Sequence, residues 1–330
     1  MSELPSGIIE SKSKVRQTRQ LAVGDFVRRH SKHLHLDQDG ESTGAERNIL
    51  EPSINRPGLA LARFYNYFAY KRLQVLGDSE FAYLHSLEES EQRRTFRLLC
   101  ESDIPCIVTC RGRRLSADLI RVADDCGVSV YHTVMETVRF INACTQWLEW
   151  EFAPTTSEHG CMIDVKGIGV MIKGDSGIGK SEAVLGLLER GASLVTDDKV
   201  LLRAPEGREL MGTAEELGRF HMEVRGLGIV NVPMLFGVAS MRIEKRLDLV
   251  VCLKPLANFL EMDRLGTEQR HYRLLGVDVP YVEIPVAPGR DTARMVEVAA
   301  LEQKLRSFGH NSAIEFNKKL LQLMKEKCIS

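Results

Sequence analysis

Several features that mark common classes of protein are missing from this chain of 330 residues. No stretch comes near the roughly 18 consecutive apolar residues of a membrane-spanning helix. The eight cysteines include no Cys-x-x-Cys pair, which argues against a zinc site or a disulfide framework. The formal net charge of -1 leaves no basic excess for nucleic acid or an anionic membrane. We therefore expect the thiols to be reduced, and we expect neither nucleic acid nor a membrane as a partner.

The first 25 residues are polar and lack the apolar segment of a secretory signal. Together with the unpaired cysteines, this predicts a cytoplasmic protein. Hydrophobic and charged residues make up 44% and 27% of the chain, as in soluble globular proteins. A chain this long usually exceeds what one hydrophobic core supports, so two domains are expected.

The pattern along the chain predicts an α/β protein in three segments. Residues 1–55 are interpreted as a polar, partly flexible leader, 56–153 as a small N-terminal α/β domain, and 154–330 as a catalytic domain that ends in helices. Short apolar runs predict strands in the first domain and a helical spacing predicts the helix that closes it. These elements are expected at 73–76, 106–110 and 128–132 (strands) and from 135 to about 152 (helix).

A phosphate-binding loop is the clearest motif. It reads Gly174-Asp175-Ser176-Gly177-Ile178-Gly179-Lys180-Ser181, which satisfies G-x-x-x-x-G-K-[ST] in full. An apolar run precedes it and a helix-forming run follows it, which is the context that the motif requires. Backbone N–H groups and the helix N-terminus would bind phosphate oxygens. Lys180 would contact the β- and γ-phosphates of ATP, and the Ser181 hydroxyl would bind Mg²⁺.

Two adjacent acids, Asp197 and Asp198, follow an apolar run shortly after that helix. In P-loop proteins an acid at a strand end commonly holds the metal or takes a proton from the nucleophile. Neighbouring carboxylates repel, so one of them can become basic enough for that second role. An ordinary turn explains the same pair equally well, since Asp is frequent in turns.

A glycine-containing segment further along has no single meaning as a bare pattern. It reads Glu223-Val224-Arg225-Gly226-Leu227-Gly228-Ile229-Val230-Asn231-Val232. Its glycines could serve only the geometry of a strand-turn-strand unit.

Taken together, GDSGIGKSE, the Asp pair and EVRGLGIVNV resemble the HPr kinase/phosphorylase family, bacterial enzymes that phosphorylate a serine of the phosphocarrier protein HPr. The resemblance covers about residues 157–310 and is weaker before that. Two further matches are His159-Gly160 and Asp263-Arg264-Leu265-Gly266. A third, Pro285-Val286-Ala287-Pro288-Gly289-Arg290, lies where the family has a loop needed for dephosphorylation.

This resemblance implies a phosphoenolpyruvate-carboxykinase-like core, ATP as phosphoryl donor and Mg²⁺ held by Ser181 and Glu223. It implies that Asp197 is the general base, with Asp198 beside it, and that His159 and Arg264 complete the catalytic residues with Lys180. It also implies removal of the phosphate by inorganic phosphate, which yields pyrophosphate. The resemblance further implies that the protein assembles as a homohexamer and that it regulates carbon metabolism.

Other functions remain open from the residues alone. A GTP-dependent switch would need an Asn-Lys-x-Asp motif, and the sequence has none. A eukaryotic-type protein kinase would need His-Arg-Asp and Asp-Phe-Gly motifs, which are also absent. A small-molecule kinase or carboxykinase relative would share the core fold. The acceptor protein itself, and any allosteric effector, cannot be read from the motifs.

Overall fold

The computed structural model describes residues 8–41, 43–215, 218–258, 269–312, 314–316 and 322. The chain divides into two units, one formed by Gln17–Ala153 and the other by residues 8–16 together with the chain from Pro154 onward. Within the described residues, no helix has both the length and the apolar character needed to cross a membrane.

The helices are short to medium in length, and most of the strands have two to six residues. The helices are α1 (Val23–Leu34), α2 (Gly58–Leu61), α3 (Asp78–His85), α4 (Glu89–Cys100), α5 (Ala117–Asp125), α6 (Thr137–Phe152), α7 (Lys180–Glu189), α8 (Val232–Phe236) and α9 (Thr292–Ser307). The first strands are β1 (Ile8–Glu10), β2 (Leu21–Ala22), β3 (Leu36–Asp39), β4 (Asn48–Ile49), β5 (Ile54–Asn55), β6 (Leu73–Leu76), β7 (Cys106–Thr109), β8 (Ser129–Thr133), β9 (Thr155–His159) and β10 (Cys161–Val165). The later strands are β11 (Ile168–Lys173), β12 (Ser193–Thr196), β13 (Lys199–Arg203), β14 (Met211–Thr213), β15 (His221–Val224), β16 (Gly228–Asn231), β17 (Glu244–Arg246), β18 (Leu249–Pro255), β19 (Arg270–Leu274) and β20 (Val277–Val286).

The first unit is a five-stranded sheet with helices on both faces. Its strand order is β3-β8-β7-β6-β5, with β5 to β8 parallel and β3 antiparallel to β8. Val75 and Val108 pack on one face with α1 and α6, while Leu76 and Ile107 pack on the other with α3, α4 and α5. Both faces are covered, so these strands are apolar throughout. The predicted strands correspond to β6, β7 and β8.

The second unit has a helix layer and two sheet layers. The middle layer is a seven-stranded sheet in the order β1-β19-β20-β18-β11-β10-β12, with the helices on one face and the second sheet on the other. One face packs on α7 and α9 through residues such as Val184 and Val296. The other packs on a four-stranded sheet, β17-β14-β13-β9, and Met162, Met171 and Val200 belong to one buried cluster between the two sheets. The α/β fold class predicted from the sequence is confirmed in both units.

The centre of the seven-stranded sheet determines where loops converge. Strands β11, β18 and β20 are mutually parallel neighbours. Their carboxyl ends therefore share one edge of the sheet, which is where ligands bind in open α/β sheets. The loops that follow β11 and β20 are the P-loop and the predicted dephosphorylation loop.

The structure differs from the expectation of a polar leader over residues 1–55. Within the described residues, 17–55 contribute α1 and four strands to the first unit, and 8–16 belong to the second. Ile8 and Ile9 pair in parallel with β19. In α1, buried Val23, Phe26 and Leu34 share one face between charged residues, so a segment that reads as polar on average still buries an apolar stripe.

Candidate active site

The P-loop connects the buried strand β11 to the start of α7. Gly174 has φ +149°, and a β-carbon there would lie 2.8 Å from the carbonyl oxygen of Leu253, so the loop can approach β18 this closely only with glycine. Lys180 Nζ donates hydrogen bonds to the carbonyl oxygens of Gly174 at 3.0 Å and Asp175 at 3.1 Å. Lys180 forms no ion pair with any residue in the described ranges. Its charge is therefore available to an incoming phosphate.

Asp197 lies at the end of β12 and is held by two donors. The Cys161 thiol donates to Oδ1 over 2.9 Å, and the backbone N–H of Glu223 donates to Oδ2 over 3.1 Å. Burial raises the pKa of Asp197 above its ordinary value, against the opposing effect of these bonds, and the neighbouring charge of Asp198 adds to the rise. A carboxylate with a raised pKa is a better proton acceptor than an exposed one.

Asp198 adopts a left-handed backbone conformation with φ +67°. Asp is one of the few non-glycine residues that tolerate this region. The carbonyl oxygen of Asp198 accepts a hydrogen bond from the Gly160 N–H at 2.9 Å. This conformation turns the chain sharply after Asp197, and both carboxylates line the same cavity.

The glycine-containing segment is a hairpin, with β15 antiparallel to β16 and Glu223 directly opposite Ile229. The turn brings Arg225 to the P-loop, where a β-carbon on Gly177 would lie 3.1 Å from Arg225 Nη1. Directly opposed residues of an antiparallel pair share one face of the hairpin. Buried Met222 and half-buried Val230, directly opposite each other, contact the apolar core on the other face, which leaves Glu223 toward the cavity.

These elements enclose a cavity of about 200 Å³ that is open to solvent. It combines two cationic side chains, several carboxylates, two hydroxyls and the N-terminus of α7. The lining residues are Cys161, Ser176, Gly177, Gly179, Lys180, Ser181, Glu182, Asp197, Asp198, Glu223 and Arg225. A larger cavity of about 290 Å³ beside Glu10 and Arg273 contains none of the predicted site residues. The smaller cavity therefore has the groups that phosphate and a metal require.

The oxygen donors of this cavity suit Mg²⁺. Within the described residues, no group of three or more His, Cys, Asp or Glu side chains is arranged to hold a metal on its own. Mg²⁺ is commonly held by one or two carboxylates together with substrate phosphates, so a complete protein cage is not needed. Ser181 and Glu223 line the same cavity as the Asp pair and fit that mode of binding.

Family models match nearly the whole chain. The model described as HPr Serine kinase C-terminal domain matches residues 150–320, and the model described as HPr Serine kinase N terminus matches residues 21–148. The chain belongs to the HPr kinase family. The resemblance predicted from the motifs is thus confirmed, and it extends through the first unit as well.

Relatives in this family align over most of their length. An HPr kinase/phosphorylase of Leptospira biflexa is 40% identical over 311 residues, which is 94% of this chain and 96% of that protein. One of Bacillus pumilus is 38% identical over 293 residues, 89% of this chain and 94% of that protein. A solved structure of the HPr(Ser) kinase/phosphatase from Coxiella burnetii is 29% identical, with a TM-score of 0.45 over 48% of this chain and 97% of that chain.

The cavity is lined by most of the residues predicted as catalytic or metal-binding, which are Lys180, Ser181, Asp197, Asp198 and Glu223. Of the P-loop, Ser176, Gly177 and Gly179 also line it, whereas Gly174, Asp175 and Ile178 do not. His159 is an exposed residue at the end of β9, opposite Lys199, and is not among the residues that line the cavity. It precedes Gly160, which binds Asp198 through the backbone. Arg264 lies outside the described residues.

The other residues of the glycine-containing segment, beyond Glu223 and Arg225, hold the hairpin in place. Asn231 caps α8 by accepting a hydrogen bond from the Met234 N–H at 3.1 Å, and Val232 is buried. Leu227 is exposed at the turn. Most of this motif therefore shapes and anchors the segment that carries Glu223 and Arg225.

The predicted dephosphorylation loop continues from the end of β20. The Arg290 N–H donates to the Ala287 carbonyl oxygen at 3.1 Å, which closes a turn. Asp291 caps α9 and pairs with Arg190 at 2.6 Å. The Arg290 guanidinium donates to the sulfur of Met295 at 3.9 Å and forms no ion pair within the described residues.

Sequence reasoning missed Cys161 as a site residue. The cysteine stands two positions after His159, and β10 pairs antiparallel with β12, with Met162 opposite Thr196. That pairing, which brings Cys161 next to Asp197, joins residues 29 to 34 positions apart in the sequence. The motifs carried no signal for it.

Proposed function

We propose that this chain transfers the γ-phosphoryl group of ATP to a serine of HPr and removes it again with inorganic phosphate, which yields pyrophosphate. The observation that carries the proposal is one cavity lined by Lys180, Ser181, Asp197 and Glu223, in a member of the HPr kinase family. Relatives that align over most of this chain are named HPr kinase/phosphorylase.

Each residue has a role in the forward reaction. The P-loop N–H groups and Lys180 bind the β- and γ-phosphates, and Arg225 adds positive charge beside Gly177. Asp197 accepts the proton of the serine hydroxyl as its oxygen attacks the γ-phosphorus. Ser181 and Glu223 would hold Mg²⁺, which on binding neutralises charge that develops on the phosphates. Phosphoryl transfer asks a protein mainly for this positioning and neutralisation.

The reverse reaction uses the same groups in the opposite order. An oxygen of inorganic phosphate attacks the phosphorus of phosphoserine, and the serine oxygen leaves with the proton from Asp197. The raised pKa of Asp197, caused chiefly by burial, favours its holding that proton. The segment from Pro285 to Arg290 begins with the last two residues of β20, a strand that ends at the same sheet edge as the P-loop, so Arg290 would attract the phosphate.

The remaining assignments complete the proposal. His159 and Arg264 act as further active-site residues, the catalytic domain is 154–330, and the residues before it form a separate α/β domain. The assembly is a homohexamer, the location is cytoplasmic, and the role is regulation of carbon metabolism. Family membership supports these assignments.

Mass spectrometry tests the forward reaction. Purified protein is incubated with Mg-ATP and HPr from the same organism, and HPr is analysed for one added phosphoryl group on serine. A phosphoserine that depends on ATP supports the proposal. Binding of ATP without any modification of HPr, combined with ATP consumption in the presence of a metabolite, would instead favour a small-molecule kinase.

A further inference from the structure

Cys161 donates a hydrogen bond to the proposed general base Asp197, and the proposed mechanism gives this cysteine no role. Its side chain is buried at 1% exposure at the start of β10, and its sulfur lies 2.9 Å from Asp197 Oδ1 at the wall of the cavity. The other carboxylate oxygen, Oδ2, accepts the Glu223 N–H. One donor is thus a backbone group fixed by a hairpin, and the other is a side chain fixed by the central sheet.

The thiol keeps its proton in this environment. Burial raises the pKa of Cys161 well above its ordinary value, and the adjacent negative charge of Asp197 raises it further. A protonated thiol is a hydrogen-bond donor, whereas a thiolate would repel the carboxylate. The pair is therefore an S–H donor facing a carboxylate acceptor.

Two hydrogen-bond donors restrict the orientation of the Asp197 carboxylate more than a single donor would. The terminal torsion of an Asp side chain has a broad energy profile, so its orientation depends on the partners of the two oxygens. With both oxygens held, the plane of the Asp197 carboxylate is defined. A carboxylate oxygen can accept more than one hydrogen bond, and general-base catalysis requires one acceptor position to face the hydroxyl proton within hydrogen-bond distance.

We propose that Cys161 is a positioning residue for phosphoryl transfer, which orients Asp197 toward the acceptor hydroxyl through its S–H donor. The proposal rests on the proposed role of Asp197 and extends it to a residue that the family motifs did not point to. Because Asp197 serves both directions, the orientation matters for phosphorylation of serine and for its phosphorolysis.

Three substitutions separate the donor from the volume of the side chain. Cys161→Ser keeps a donor at nearly the same place, Cys161→Val fills the space without a donor, and Cys161→Ala is a second variant without one. We expect Cys161→Val and Cys161→Ala to lower kcat about tenfold in both directions, with KM for ATP and HPr within about twofold of wild type. Cys161→Ser should stay within about threefold of wild-type kcat.

A double-mutant comparison tests whether the effect passes through Asp197. In an Asp197→Asn background, Cys161→Val should cause little further loss, because residues that act through one another are not additive. Equal losses for Ser and Val, an unchanged kcat for Val, or a full tenfold loss in the Asn background would each overturn the proposal.

Crystal structures provide a readout that needs no acceptor protein. The Asp197 carboxylate should keep its orientation in wild type and Cys161→Ser, and should turn in Cys161→Val and Cys161→Ala. An unchanged orientation in both donorless variants would overturn the positioning role. If wild type fails to phosphorylate HPr, the proposed acceptor is lost, while these structures still decide the role of Cys161.

Discussion

The backbone N–H of Glu223 donates a hydrogen bond to Oδ2 of Asp197 at 3.1 Å. This bond joins two segments 26 residues apart, the glycine-containing hairpin and the turn after β12. It places the proposed metal ligand next to the proposed base through the backbone of Glu223, so the Glu223 carboxylate takes no part in this bond. Changes in the hairpin therefore affect the acid on which proton transfer depends.

The two neighbouring acids are expected to contribute unequally. Asp197→Asn should lower kcat about 10²- to 10⁴-fold, because an amide cannot accept the serine proton. Asp198→Asn is the matched variant, and asparagine tolerates the left-handed backbone at φ +67°, so the fold should persist. Steady-state kinetics with HPr measures both. Full activity in each variant would show that neither acid takes part in phosphotransfer.

A methyl group on the P-loop should weaken ATP binding. Gly177→Ala adds a β-carbon 3.1 Å from Arg225 Nη1 at φ +84°, so it strains the loop and displaces the guanidinium. Gly207→Ala is the control, since its φ of +66° carries similar strain while a β-carbon there would meet no described atom within 4 Å. Calorimetry should show at least about tenfold weaker ATP binding for Gly177→Ala alone. Equal losses in both variants would contradict a role for the Arg225 contact.

Lys180 should be needed both for phosphorylation of HPr and for phosphorolysis of phosphoserine-HPr. Lys180→Met removes the cation that the carbonyl oxygens of Gly174 and Asp175 hold in the loop, and we expect kcat to fall at least about 10²-fold. Lys12→Met, at an exposed lysine, serves as control. Phosphorylation of HPr and release of pyrophosphate are measured for each variant. Loss in only one direction would argue against a shared phosphate site.

A buried ion pair beside the P-loop should control stability. Glu158 is 5% exposed, pairs with Lys173, and accepts hydrogen bonds from Tyr272 and the hydroxyls of Ser11 and Ser13. Lys173→Met leaves a buried carboxylate without its cation and should reduce the free energy of unfolding of the second unit by about 3 to 5 kcal/mol at pH 7. Urea unfolding measures this loss. Wild-type stability in Lys173→Met would contradict it.

The Glu158–Lys173 pair also predicts how the free energy of unfolding changes with pH. Burial alone would raise the pKa of Glu158, but the bonds from Lys173, Ser11 and Ser13 outweigh it and hold the pKa below the ordinary value of 4.5. The stabilisation is therefore present above pH 4.5 and is lost as pH falls through the folded-state pKa. The difference between wild type and Lys173→Met should shrink in acid. The double variant Glu158→Gln/Lys173→Met should show less of this acid dependence than wild type.

The sequence predicted those parts of the structure that depend on local pattern. The P-loop was recognisable because strand, glycines, Lys180 and helix are contiguous, and β6 was recognisable because Leu73, Val75 and Leu76 form a short apolar run. The order of the seven-stranded sheet, which brings Asp197 to Cys161, depends on pairing between distant segments and has no local signal. The assignment of residues 17–55 to the first unit was missed because charged residues around a narrow apolar face lower the average hydrophobicity of α1.

Transfer of labelled phosphate tests the bifunctional reaction most directly. Phosphoserine-HPr is incubated with wild-type protein and inorganic phosphate labelled with ¹⁸O, and the products are analysed by mass spectrometry, with Lys180→Met as control. The proposed reaction predicts that the label appears in pyrophosphate in step with the loss of phosphoserine, and that Lys180→Met yields neither change. Release of unlabelled phosphate without labelled pyrophosphate would show hydrolysis and contradict phosphorolysis.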